Sequence, residues 1–184
     1  MGHESCEAAI GSKDSNLICL NKRIKMLSDP SKVSFIQLNE RKSFAAATEL
    51  NNMVTKCDKY VSLLTEPYSF KKFIAARPPG SRVISSNDEP RAAIIHHREL
   101  NIIKLEQFTK RDCAVGIMRT ENEEVLIVSA YMDIKMEMIP SWLIEVVNFA
   151  ETKHYPIIVG LDTNAHSTLS VSYTHLTLPT IYSV

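Results

Sequence analysis

The chain has 184 residues, 45% hydrophobic and 23% charged, which is the composition of one folded domain and excludes a disordered or low-complexity chain. Lys and Arg number 21, as do Asp and Glu, so the formal net charge is zero; a chain-wide basic field is excluded, and only a local basic groove remains open. No apolar run reaches the roughly 18 residues of a membrane span, no secretory leader is visible, and Cys6, Cys19, Cys57 and Cys113 are too scattered for a zinc site or a disulfide framework. They read as four reduced thiols in an intracellular protein.

Residues 1–32 mix Ser, Asp, Lys and Gly around one apolar patch, Leu17 to Leu20, and read as a leader without its own core, closed by Asp29-Pro30-Ser31. Val33 to Leu38 is short, apolar and β-rich, a buried strand. Ala46, Leu50, Met53, Val54 and Cys57 recur at helical spacing, which gives an amphipathic helix over Phe44 to Cys57. Tyr60 to Leu64 is a second strand, so the segment is a βαβ unit and the class is α/β.

A Pro-containing loop follows, from Glu66-Pro67-Tyr68 to Arg82. Its Lys71, Lys72, Arg77 and Arg82 make either a solvated surface or a set of phosphate contacts. Short β-like runs come next at Arg82–Ser85, Ala92–His96, Ile102–Leu105, Ala114–Met118 and Val125–Ala130, an arrangement that predicts an antiparallel meander. Pro140 opens a second helix with an apolar face of Ile139, Leu143, Val146, Val147 and Ala150, bordered by Trp142. Pro156 to Leu161 is a last apolar strand, which delivers Asp162-Thr163-Asn164-Ala165-His166.

Four sets of polar residues share one context, the exit of an apolar strand: Asn39, Glu66, Tyr131, and Asp162 with Asn164. Singly each has a plain reading. Asn39 can cap a turn, Glu66 can be a solvated loop carboxylate, Tyr131 a core-edge aromatic, and Asp162-x-Asn164 an Asx-turn. Together, two carboxylates with amide oxygens suit a hard divalent cation, and polar groups at strand ends are where α/β sheets carry their sites. No general base for water stands out.

In FIQLNERKSFAAATEL, LLTEPYSF, VSAYMDI followed by IPSWL, and PIIVGLDTNAHSTL, the chain resembles the endonuclease/exonuclease/phosphatase family. Within it the closer likeness is to the endonuclease domain of non-LTR retrotransposon (reverse transcriptase) polyproteins, over residues 33–169. The resemblance implies a two-sheet α/β sandwich and Mg2+-dependent hydrolysis of DNA phosphodiesters, with Mn2+ able to substitute. It implies nicking of a target for retrotransposition, fusion to a reverse transcriptase in the intact protein, and a nuclear setting when acting on DNA. Glu66 takes the place of the metal-binding glutamate, and Asn39 that of an asparagine near metal and phosphate. Tyr131 matches the phosphate-contacting tyrosine, Asp162 the aspartate that orients or activates water, and Asn164 the asparagine that holds the phosphate. His166 falls in the retrotransposon NAH pattern and is read as a packing or orienting residue.

The family pattern continues past DTNAH to a late aspartate and a terminal Ser-Asp-His, and these do not occur here. Instead VSYTHLTLPT matches the translation of a transposase-based sequencing adapter, GTC TCT TAT ACA CAT CTG ACG CTG CCG ACG. The expectation is a leader at 1–32, a partial domain at 33–169 lacking its C-terminal strands, and an adapter artefact at 170–184, against a native β-rich tail. A truncated domain of this kind is expected to be inactive. The alternatives are a non-catalytic nucleic-acid or protein-binding module, supported by the Lys71–Arg82 loop, and a phosphatase of the same family.

Overall fold

The computed structural model describes residues 17–20 by backbone alone, and 33–70, 72–133 and 139–163 in full. The elements in chain order are β1 (Leu17–Leu20), β2 (Val33–Asn39), α1 (Phe44–Val54), β3 (Lys59–Thr65), β4 (Ser69–Phe70), β5 (Phe73–Ile74), β6 (Ser81–Ser85), β7 (Ala92–His97), β8 (Ile102–Lys104), β9 (Cys113–Arg119), β10 (Glu124–Tyr131), α2 (Ser141–Lys153) and β11 (Ile157–Asp162). One sheet has the order β1-β2-β3-β7-β6, the other β11-β10-β9-β8, and β4-β5 is a separate small ribbon. The fold is a two-sheet α/β sandwich with one helix on each outer face.

Period-2 alternation builds it. Phe35, Val61, Leu63, Ile84 and Ile94 of the first sheet face Ala114, Met118, Val125 and Ile127 of the second. The opposite face of the first sheet, with Ile36, Leu38, Tyr60, Leu64 and Ile95, packs on Leu50 and Val54 of α1. Likewise Val115, Ile117, Leu126, Val128 and Ala130 of the second sheet pack on Val146 and Ala150 of α2. Ser43 caps α1, its hydroxyl accepting from the Ala46 amide.

The βαβ unit forms as the sequence predicts, with β2 and β3 parallel. Several details differ. The stretch read as a leader supplies β1, antiparallel to β2. The expected meander is split between sheets: β6 and β7 pair in the first, and β8, β9 and β10 in the second. Short-strand spacing cannot reveal this, because a crossover between sheets uses the same turn chemistry as a hairpin. Helix α1 ends at Val54, three residues before Cys57. Pro140 is the N-cap of α2 and not its first helical residue. Ile139 and Val147, assigned to the apolar face of α2, are 64% and 37% exposed. Of α2 only Val146 and Ala150 are buried against the second sheet, a narrower stripe than the sequence suggests. The expected tail at 170–184 lies outside the described residues, as does its boundary.

Candidate functional site

Strands β2 and β3 run parallel, Asn39 opposite Thr65, and β10 and β11 run parallel, Tyr131 opposite Asp162. All four C-terminal ends meet at one end of the sandwich, where side chains bond across the gap. The Asp162 Oδ2 accepts from the Asn39 Nδ2 at 2.5 Å and from the Thr65 hydroxyl at 3.2 Å. The Gln37 amide donates to the Leu161 carbonyl at 3.0 Å, and the Ser129 hydroxyl to the Leu64 carbonyl at 2.8 Å.

The strand period explains why these residues converge. Along β2 the inward positions are Val33, Phe35, Gln37 and Asn39, and along β3 they are Val61, Leu63 and Thr65. Along β10 they are Val125, Ile127, Ser129 and Tyr131, and along β11 Ile158, Gly160 and Asp162. The inner layer is thus apolar for most of its length and turns polar in its last rungs. Gly160 permits the approach of the sheets there, since a Cβ at this position would lie 2.8 Å from Leu63.

Asn39 is held at both ends. Its Oδ1 accepts from the Arg41 backbone N–H at 2.8 Å, which fixes the amide orientation and aims the Nδ2 at Asp162. Glu66 follows Thr65 with φ of 45°, a left-handed turn. That turn is held by the Glu66 amide donating to the Arg91 carbonyl and by the Lys42 amide donating to the Glu66 carbonyl, both at 2.8 Å. Burial first, then the negative charges of Glu66, Asp133 and Asp162, raise the Tyr131 hydroxyl above its ordinary pKa, with Arg91 opposing. Tyr131 is therefore a neutral donor at physiological pH.

Further residues at this end carry no mark in the sequence. Arg91 forks onto Asp112, Nε to Oδ1 at 2.6 Å and Nη2 to Oδ2 at 2.7 Å, and its Nη1 reaches Asp133 at 2.8 Å. Its guanidinium lies 4.7 Å from the centroid of the Tyr131 ring. Arg91 thereby ties the start of β7 to the exit of β10. Glu40 is 2% exposed, and its Oε2 accepts from the Tyr68 N–H at 2.7 Å. Burial pushes its carboxyl up to about 7. It fastens the loop carrying Glu66 to the exit of β2. Thr65 was visible only as the residue before Glu66. Its period-2 partnership with Asn39 was the available signal.

The basic loop is not gathered there as one set. Arg82 lies opposite His96 on β6, at the far end of the first sheet from Asn39. Arg77 is exposed, and Lys72 pairs with Asp88 at 3.6 Å. Strand β6 runs from Arg82, level with Val61, to Ser85, level with Leu64, so Arg82 and the turn at Asp88 that holds Lys72 stand at opposite ends of the sheet. Lys71, Asn164 and His166 lie outside the described residues.

Among the described residues no group of three or more His, Cys, Asp or Glu is set to hold a metal. The oxygen donors that are present, the Glu66 carboxylate and the second lone pair of the Asn39 Oδ1, nonetheless fit Mg2+, which usually takes one or two protein ligands and completes its shell with water and phosphate. The described histidines lie elsewhere: His96 and His97 at the C-terminal end of β7, and His154 just before β11.

The comparisons agree with this fold. The chain is 26% identical to the endonuclease domain of TRAS1, a telomere-specific non-LTR retrotransposon, with a TM-score of 0.54 over 73% of this chain and 60% of that one. It is similar to the endonuclease domains of non-LTR retrotransposons. A curated relative, the putative 115 kDa protein of the type-1 retrotransposable element R1DM of Drosophila melanogaster, is 24% identical over 139 residues. That match takes in 76% of this chain but only 14% of the relative, so the chain spans a small part of that protein. No protein-family model matches. No described helix is long and apolar enough to cross a membrane.

Proposed function

We propose that this domain hydrolyses DNA phosphodiester bonds with the help of a divalent cation, Mg2+ or Mn2+, and nicks a target for retrotransposition. The observation that carries this is Asp162, held by Asn39 and Thr65 across the two sheets and flanked by Tyr131. Glu66 and Asn39 would hold the cation, which when bound supplies charge to a phosphoryl oxygen and to the leaving oxygen. Asp162 orients the attacking water and takes up its proton, its carboxylate aimed by the Asn39 amide and the Thr65 hydroxyl. Tyr131, neutral and steadied by Arg91, donates to a non-bridging phosphate oxygen. Asn164 completes the phosphate contacts. DNA is the substrate, and a reverse transcriptase is the fused partner in the intact polyprotein, acting in the nucleus.

The 184-residue chain is expected to be slow. No histidine stands at this end among the described residues, and general acid–base assistance is worth about 10² to 10⁴ in rate. The same observation favours the second reading, a non-catalytic nucleic-acid-binding module. Nicking of supercoiled plasmid in Mg2+ and in Mn2+, beside Glu66→Gln and Asp162→Asn, separates the two. Cation-dependent nicking that both variants abolish supports hydrolysis. Equal nicking by all three proteins refutes the site, and DNA binding with no nicking in either cation supports the module.

A further inference from the structure

Between Tyr68 and Ala75 the chain reads Tyr-Ser-Phe-Lys-Lys-Phe-Ile-Ala, two lysines bracketed by two phenylalanines. Strands β4 and β5 pair antiparallel with Phe70 directly opposite Phe73. Directly opposed residues project from the same face of a two-stranded ribbon. The two rings therefore share one face, and they are 63% and 77% exposed. A lone exposed phenylalanine needs no explanation, but a cross-strand pair at the tip of a two-residue-stranded hairpin is unusual.

The base of this ribbon is fixed to the candidate site, and its two rings face solvent. The Ala75 amide donates to the Tyr68 carbonyl at 2.9 Å, and the Tyr68 amide donates to buried Glu40 at 2.7 Å. The Asn51 amide of α1 donates to the Ala76 carbonyl at 2.8 Å. Glu66 stands four residues before Phe70 on the same segment. The Lys72 ammonium, 61% exposed, sits at the turn. Aromatic faces interleaved with lysines, beside a phosphodiester site, are the chemistry that binds unstacked bases and their backbone.

We propose that the Phe70–Phe73 ribbon is a stacking platform for one or two unpaired bases of the DNA strand beside the scissile phosphate. This rests on the DNA reading above and adds to it the form of DNA that the site prefers, a strand opened or frayed at the nick. The rings take the bases, and Lys72 accompanies the backbone. Sequence tolerance follows, because every base presents a π-face.

The test uses the full chain and fluorescently labelled oligonucleotides: a duplex, the same duplex with a short single-stranded gap, and single strands carrying 2-aminopurine. The wild type is expected to bind gapped DNA tighter than duplex and to quench 2-aminopurine. Phe73→Ala and Phe70→Ala should each weaken gapped-DNA binding about tenfold and abolish the preference over duplex. Phe73→Trp should restore both, whereas Phe73→Leu should not, which separates stacking from simple apolar contact. Unchanged binding and quenching in both alanine variants overturns the platform while leaving the DNA reading intact. Absence of any DNA binding by the wild type overturns both. Phe-dependent binding to anionic phosphatidylserine vesicles, without Phe-dependent binding to gapped DNA, overturns the platform in favour of a membrane contact.

Discussion

Gly160 is a point of close approach between the sheets and lies two residues from Asp162, so Gly160→Ala tests whether sheet spacing sets the site. The added Cβ would meet the Leu63 Cβ and Cδ1 at 2.8 Å and its Cγ at 3.3 Å. Ordinary contact begins at 3.4 Å, so the strands must part by about 0.6 Å or Leu63 must leave its rotamer. Overpacking of this kind costs about 1–3 kcal/mol, offset by up to about 1 kcal/mol from the lower unfolded-state entropy of alanine. A net loss of about 1–2 kcal/mol is expected in urea denaturation followed by the fluorescence of Trp142, the sole tryptophan, which packs against the second sheet. The same displacement carries Asp162 away from Asn39 and Thr65. A misplacement of about 1 Å can cost about 100-fold in rate, so nicking should fall by about tenfold or more. In a Leu63→Ala background the Cγ and Cδ1 contacts vanish but the Cβ contact stays, so the penalty should shrink without disappearing. A Gly160→Ala protein as stable as its parent, or a penalty identical in both backgrounds, would refute the reasoning.

Arg91→Met strands Asp112 and Asp133 without their cation. Because these side chains are 19%, 21% and 33% exposed, the loss should be about 1–2 kcal/mol, less than the roughly 3–5 kcal/mol of a fully buried pair, measured by urea midpoint. Two buried groups give opposite pH slopes, to be read in metal-free buffer with EDTA. The Glu40 carboxyl is raised from 4.5 to about 7 in the fold, so its favourable contribution is full below about 4.5 and is lost as pH rises through about 7. At about 1.4 kcal/mol per pH unit, Glu40→Gln should be more stable than the parent by about 3 kcal/mol at pH 8, and by little at pH 4.5. His96 is held below its ordinary pKa of 6.5 chiefly by burial, with Arg82 and His97 adding to this and the His97 carbonyl opposing; its contribution is present above 6.5 and lost as pH falls further, and His96→Gln should flatten that loss. A pH-independent difference between either variant and the parent would count against that assignment. Burial pushes the Cys113 thiol up to about 12, so iodoacetamide at pH 8 should label half-buried Cys57 and spare Cys113 in the native protein, with mass spectrometry deciding.

The parts of the fold legible in the sequence are those set by periodicity within one element. Every strand from β2 onward except the two-residue β4 and β5 was marked by a short apolar run, because the sheets are covered on both faces, and both helices by the spacing of their apolar residues, because each buries one face. What periodicity leaves out is pairing between distant strands. Nothing near Ile84 or Ile102 says that the chain changes sheets between β7 and β8, since both sheets offer the same apolar inner face. The candidate site divides in the same way. Asn39, Tyr131 and Asp162 were legible because each closes an apolar strand, and Asn39 and Asp162 meet because both are inward positions. Arg91, Asp112 and Asp133 were not, because they open or follow strands in turn-rich sequence where a charge is expected to face water. Glu40 was the least legible. It lies in Asn-Glu-Arg-Lys, a wholly polar break, yet it is buried because the Tyr68 amide needs an acceptor there. Its burial is a demand made by backbone 28 residues away, and a demand of that kind becomes visible only when the loop that makes it has a shape.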